Sequence, residues 1–177
     1  MCNTISSHRV KCRTIRGKSV DLKATVKIMF HDSLIPEFVQ WKDTNGDDFS
    51  WWDYVNLRAD LQTALGFAKF FYPDVLEVEG YFLLKDKYKP EIFEEWKADR
   101  KHGKQSVEKM MNLYEVNDFF HINHRDDETD EQVHGLGEAL KLFWTLSFRH
   151  RFPGRKIVVS VFEEDDGCLF ITVYEET

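Results

Sequence analysis

No stretch of the 177-residue chain approaches the roughly 18 consecutive apolar residues of a membrane helix, so the sequence offers no candidate span and no membrane partner. The opening Met1-Cys2-Asn3-Thr4-Ile5 lacks the apolar core of a secretory signal, and the expectation is a cytoplasmic protein. Cysteine is scarce. Cys2, Cys12 and Cys168 are odd in number and far apart, which excludes a disulfide framework and the paired spacings that chelate zinc or exchange dithiols; reduced thiols are the simplest reading. No neighbouring residues mark Cys12 or Cys168 as an activated nucleophile. There is also no glycine-rich phosphate loop, no nucleophile elbow, no internal repeat and no low-complexity linker.

A net basic balance is missing from most of the chain. The formal net charge is −7, which disfavours a general nucleic-acid surface because phosphate binding requires a basic footprint. The imbalance is uneven: residues 1–30 carry seven Lys and Arg against Asp21 alone, a balance of +6 that leaves −13 for the remainder. That polarity can steer a partner or contact nucleic acid through the N-terminal segment, but pairing with acidic neighbours in the same fold is the simpler reading.

What the chain has in quantity is material for one core. Apolar residues make up 42% and aromatic residues 15%, and a chain of this length buries enough surface to be stable without metal or disulfide. Val20, Leu22, Ala24, Val26, Ile28 and Phe30 alternate with mostly polar residues, the period of a half-buried strand. His8 to Arg16 reads as its hairpin partner across Gly17-Lys18. A short helix follows over Leu34 to Trp41, with Pro36 in its first turn.

Tyr54, Leu57, Leu61, Ala64, Leu65, Ala68 and Phe71 recur at steps of three and four, predicting one amphipathic helix over 50–72 that Pro73 ends. Val75 to Leu84 reads as a central strand. Further helices are expected over 91–101, 106–114 and 130–150, with a polar loop over 117–129 and a closing hairpin of Lys156 to Phe162 and Leu169 to Tyr174. The expected architecture is a single α+β domain over 1–177, with residues 1–7 as a flexible lead-in. Its sheet is mostly antiparallel with about five strands: an N-terminal hairpin, a central strand and a C-terminal hairpin, packed against several helices.

Two stretches attract metal chemistry. In Asp43-Thr44-Asn45-Gly46-Asp47-Asp48, three oxygen-bearing side chains fall at positions one, three and five of a calcium loop. The turn glycine is then replaced by Asp48 and the closing carboxylate by Tyr54, so a turn that starts a helix is the better reading. Ser50 and Asp53 have the spacing of a capping box. The second stretch gathers His121, His124, Asp126, Asp127, Glu128, Asp130, Glu131 and His134, the donor types of zinc, manganese or iron sites. Helix capping accounts for its carboxylates, and His134 falls on the polar stripe of the 130–150 helix. His121, His124 and Asp126 remain the candidate metal ligands.

His31-Asp32-Ser33 contains the residue types of a hydrolase triad, but triad members converge from separate parts of a chain, and a strand end running into a helix start is preferred. Among the five tryptophans, Trp51 and Trp52 are informative, since consecutive residues at a helix start point about 100° apart and need not both be buried. One of them is a candidate binding anchor.

The function that follows is a non-enzymatic protein-binding module, an adaptor, inhibitor or immunity-type protein with an acidic, aromatic-containing surface and no cofactor. The alternative is a small metal-dependent hydrolase using His121, His124 and nearby carboxylates, in which a metal lowers the pKa of bound water.

Overall fold

The computed structural model describes residues 30–99, 101–123, 128–165 and 167–176. The expected strand pair at 8–16 and 20–30 lies, apart from Phe30, outside the described residues, as does the 1–7 segment. A 3-10 turn Asp32–Leu34 leads into helix α1 (Pro36–Asn45), where Pro36 stands at the first helical position and its missing N–H costs no hydrogen bond. Then follow α2 (Trp51–Arg58), α3 (Leu61–Phe71), strands β1 (Val75–Val78) and β2 (Tyr81–Leu84), α4 (Pro90–Ala98) and α5 (Lys104–Met111). The chain continues through β3 (Tyr114–Glu115), a kinked 3-10 segment Asn117–Asn123, the long helix α6 (Asp130–Arg151), β4 (Ile157–Glu163) and β5 (Leu169–Glu175).

The fold is α+β, and every strand pairing among the described residues is antiparallel. Two sheets replace the single one expected. The run Val75 to Leu84 is a hairpin, because Glu79 and Gly80 take φ of 51° and 81° and reverse the chain in two residues. Positive φ at both central positions is the turn whose twist suits a hairpin, and glycine adopts it without a steric cost. The other sheet has the order β3-β5-β4, with Val159 opposite Val173 and Ser160 opposite Thr172.

Packing follows the periods of the sequence. On β2, Phe82 and Leu84 enter the main core while Leu83 points the other way, into a smaller cluster with Phe93, Val107 and Met111. Alternation thus places one four-residue strand between two cores. Leu140, Trp144 and Phe148, spaced by four along α6, pack against Val159, Ile171 and Val173. A Cβ at Gly137 would stand 2.8 Å from a Leu169 methyl, so glycine there lets α6 approach the sheet closely.

The two sheets are joined by side chains of α5. Glu108 on that helix and Asn112, its C-cap, are one turn apart and fully buried. One Glu108 oxygen accepts from the Phe82 amide at 2.8 Å and the other from the Glu175 amide at 2.7 Å. Asn112 accepts from the Leu84 amide at 2.7 Å and donates to the carbonyls of Phe82 and Val173, both at 2.8 Å. Edge groups that would otherwise be buried without partners are satisfied on β2 and β5 together.

The largest departure from the sequence reading concerns 50–72. Ala59 is extended, at φ −137° and ψ 151°, and Asp60 caps a new helix by accepting from the Thr63 amide at 2.8 Å. The predicted single helix is therefore two. More important, the middle of the stripe predicted to be its buried face is turned outward: Leu57, Leu61 and Leu65 are exposed, and of that stripe Phe71, at its end, reaches the core, beside Phe70 from another face of α3.

Candidate interaction surface

The aromatic content of the 38–54 region forms one cluster around Phe38, which is 1% exposed. The Trp51 ring lies parallel to Phe38 with 3.7 Å between centroids, and Tyr54 meets Phe38 edge-on at 5.7 Å. Phe49 and Trp41 complete the group. The edge-on contacts suit the charge distribution of the rings, and each is worth about 1 kcal/mol beyond the area it buries. The Trp51 ring N–H donates to an Asp32 carboxylate oxygen at 3.2 Å, and the other oxygen lies 3.7 Å from Lys42. Asp32 thus holds Trp51 in place, a structural task that accounts for it without a triad.

The calcium-like stretch serves the same cluster. Asp43 and Asn45 lie in the last turn of α1, where the Asn45 amide donates to the Trp41 carbonyl at 2.7 Å. Gly46 ends the helix at φ 89°, and Ser50 opens α2 with the capping box that its spacing predicts. Ser50 donates its hydroxyl to Asp53 at 2.6 Å and its backbone N–H at 2.8 Å, and these hydrogen bonds, the hydroxyl first, hold the Asp53 carboxyl below its ordinary range. A tight reversal between two short helices is what the polar residues achieve.

Trp51 and Trp52 have different fates. Trp51 is 39% exposed with one ring face covered by Phe38, whereas Trp52 is 78% exposed. Helical spacing puts Val55 beside Trp52 on α2, and Val55 is exposed too. On α3, Leu61, Ala64, Leu65 and Ala68 sit at i, i+3, i+4 and i+7 on one face, and all four are exposed, Leu61 at 84% and Leu65 at 69%. The opposite face carries Phe70, which packs on Phe119, while Phe71, at the edge of the stripe two turns beyond Ala64, packs on Phe143. The Trp144 ring N–H donates to the Phe70 carbonyl at 3.0 Å. α3 is therefore apolar on both sides and packed on one.

A cavity of about 650 Å³ opens beside α2, walled by Phe30, Leu34, Trp51, Phe120, Val133 and Leu136. Its polar edge is a short network in which Tyr54 donates to Glu37 at 3.0 Å and Arg58 pairs with the same oxygen at 2.8 Å. Burial first, and then the hydrogen bond to Glu37, push the Tyr54 hydroxyl above its usual pKa. The cavity is within the size range of small-ligand sites and suits an apolar side chain or ring as well.

The sequence-predicted metal ligands do not enter this geometry. His121 belongs to the kinked 3-10 segment, but its side chain, with His124 and Asp126, lies outside the described residues. Among the described residues, no three His, Cys, Asp or Glu side chains converge as a metal site would require. His134 faces outward, as its helical position predicts, with its ring 3.7 Å from Glu163. Among those residues, no helix is long and apolar enough to cross a membrane.

Sequence reasoning offered Trp51 and Trp52 as candidate anchors and placed Leu61 and Leu65 on a buried helix face, whereas both leucines are exposed. A signal was present: Asp60, a strong cap residue followed by Leu61-Gln62-Thr63, interrupts the 50–72 pattern where a new helix begins. No protein-family model, curated protein or solved structure matches this chain.

Proposed function

We propose that the protein is a binding module that engages another protein through the outer face of α2 and α3. The observation that carries this reading is the outward stripe Leu61, Ala64, Leu65 and Ala68, with Val55 and Trp52 also exposed on the preceding helix α2. Scattered apolar residues on a surface need no explanation, but a whole helix face at core-like spacing does, because water contact forfeits about 1.5–3 kcal/mol for each large apolar side chain left unburied. Trp52 supplies the aromatic anchor that interface hot spots favour, and the cavity beside α2 has room for an anchor side chain from the partner. The acidic surface predicted from sequence contributes selectivity through its Asp residues.

The test is a photo-crosslinking residue placed at Leu65, with a second chain carrying it at the exposed Glu138 of α6. The expected result is a discrete adduct from position 65 that is lost in Trp52→Ala and Leu61→Gln backgrounds, with none from position 138. Equal yields from both positions, or none from position 65, contradict the reading.

A further inference from the structure

Resting on the binding-module reading, the charge around the stripe identifies its partner by chemistry: we infer that the α2 and α3 face receives a basic amphipathic helix. Asp53 lies one turn from Leu57 on α2, and Asp60 directly precedes Leu61. The cations nearby are already engaged: Arg58 pairs with Glu37 at 2.8 Å, and Lys69 pairs with Asp74 at 2.6 Å. By contrast, Asp53 and Asp60 are bonded by Ser50 and Thr63, which carry no charge.

Those neutral donors stabilise the ionised carboxylates, so both keep a full negative charge at neutral pH. Among the described residues, neither forms an ion pair. Among the described residues, the apolar stripe thus has a carboxylate without an ion-pair partner at its N-terminal end, Asp60, and a second, Asp53, one turn from Leu57 on the preceding helix. A partner helix fits when its apolar residues recur at i, i+3, i+4 and i+7 and lysines or arginines lie along its flanks. An acidic helix of the same apolar pattern would meet like charge and be rejected. Ala64 and Ala68 let a partner backbone approach between the two leucines.

The experiment uses the full chain and two synthetic 18-residue helical peptides with leucine at the same positions, one otherwise rich in lysine and the other in glutamate. Binding is followed by fluorescence anisotropy at low and at moderate salt. The lysine peptide is expected to bind at least about tenfold more tightly than the glutamate peptide, since 1.4 kcal/mol is a factor of ten and several rim charges act together. Its affinity should fall with salt, as screening of exposed charges requires. Leu61→Gln with Leu65→Gln should abolish binding, and Asp60→Asn, which retains the capping oxygen, should weaken binding and its salt dependence together.

Equal binding of the two peptides overturns the inference, as does lysine-peptide binding that survives the double leucine replacement. Carbodiimide coupling provides a further decision. Links from peptide lysines to Asp53 or Asp60 support the inference. Links to those carboxylates only from lysines within residues 1–30 of the same chain, with the peptide excluded, overturn it. If position 65 crosslinks a partner that has no basic amphipathic helix, the binding-module reading stands and this inference falls; if it crosslinks nothing, the reading itself fails.

Discussion

Replacing Asn112 with alanine tests the claim that α5 side chains join the two sheets. The substitution removes three hydrogen bonds, from the Leu84 amide at 2.7 Å and to the Phe82 and Val173 carbonyls at 2.8 Å. Asn112 is fully buried and Leu84 and Val173 nearly so, so water does not easily replace the lost partners. Each net hydrogen bond is worth about 1 kcal/mol, and an orphaned buried group costs more, so the expected loss is about 3–4 kcal/mol. For a domain of this size that lowers the melting temperature by roughly 6–15 °C.

Urea titration with an unchanged slope measures the loss, and hydrogen exchange at the Leu84 amide reports its location. Asn45→Ala serves as a comparison, since Asn45 is exposed and its side chain bonds only to the Trp41 carbonyl. A loss below about 1 kcal/mol for Asn112→Ala, or one equal to that of Asn45→Ala, refutes the bridging account.

Three further outcomes follow from the geometry. Trp51→Ala uncovers the buried Phe38 ring and should cost about 2–3 kcal/mol in urea unfolding, whereas Trp52→Ala should stay within about 0.5 kcal/mol; equal costs contradict the contrast drawn between them. Ser50→Ala removes the capping box that opens α2 and should cost about 1 kcal/mol, read from the same titration, with no change showing the cap to be idle. Hydrogen bonds from Arg155, with Lys104 adding to them and burial opposing, hold Glu175 down to about 2. A depressed carboxylate stabilises the fold above its unfolded pKa and loses that contribution as pH falls through the folded value, here between about 4.5 and 2. Glu175→Gln should therefore flatten the fall in urea midpoint across that window, and parallel curves for the two proteins contradict the assignment.

The parts of the fold legible in the sequence were those in which local and tertiary preferences agree. Helix α6 begins at its Thr129 and Gln132 capping box and carries Leu140, Trp144 and Phe148 inward, and the hairpin of β4 and β5 follows simple alternation. Ser50 and Asp53 form the capping box that their spacing announces. The turn at Glu79 and Gly80 was missed because Glu-Gly lacks the Asn-Gly or Asp-Gly signature, although Gly80 holds the positive φ such a turn needs. Glu108 and Asn112 look like ordinary polar helix residues, and their burial depends on where two strand edges happen to end.

Residues 50–72 failed for a different reason. Periodicity shows that a helix has an apolar face but not what that face meets, and α3 has a second apolar face at Phe70, taken by the core together with the stripe's end residue Phe71. The candidate site was therefore half visible: Trp52 stood out by type, while Leu61 and Leu65 were indistinguishable from core.

The most direct measurement of the central claim combines stability and capture in one variant, Leu61→Gln with Leu65→Gln, in the full chain carrying a photo-crosslinker at the exposed position 68. If the stripe is a docking surface, the urea midpoint matches that of the parent within about 0.5 kcal/mol and the partner adduct disappears. If the stripe is instead covered by the chain's own residues, each leucine costs about 2–5 kcal/mol and stability collapses. A large loss of stability, or an adduct that persists in the double variant, contradicts the account.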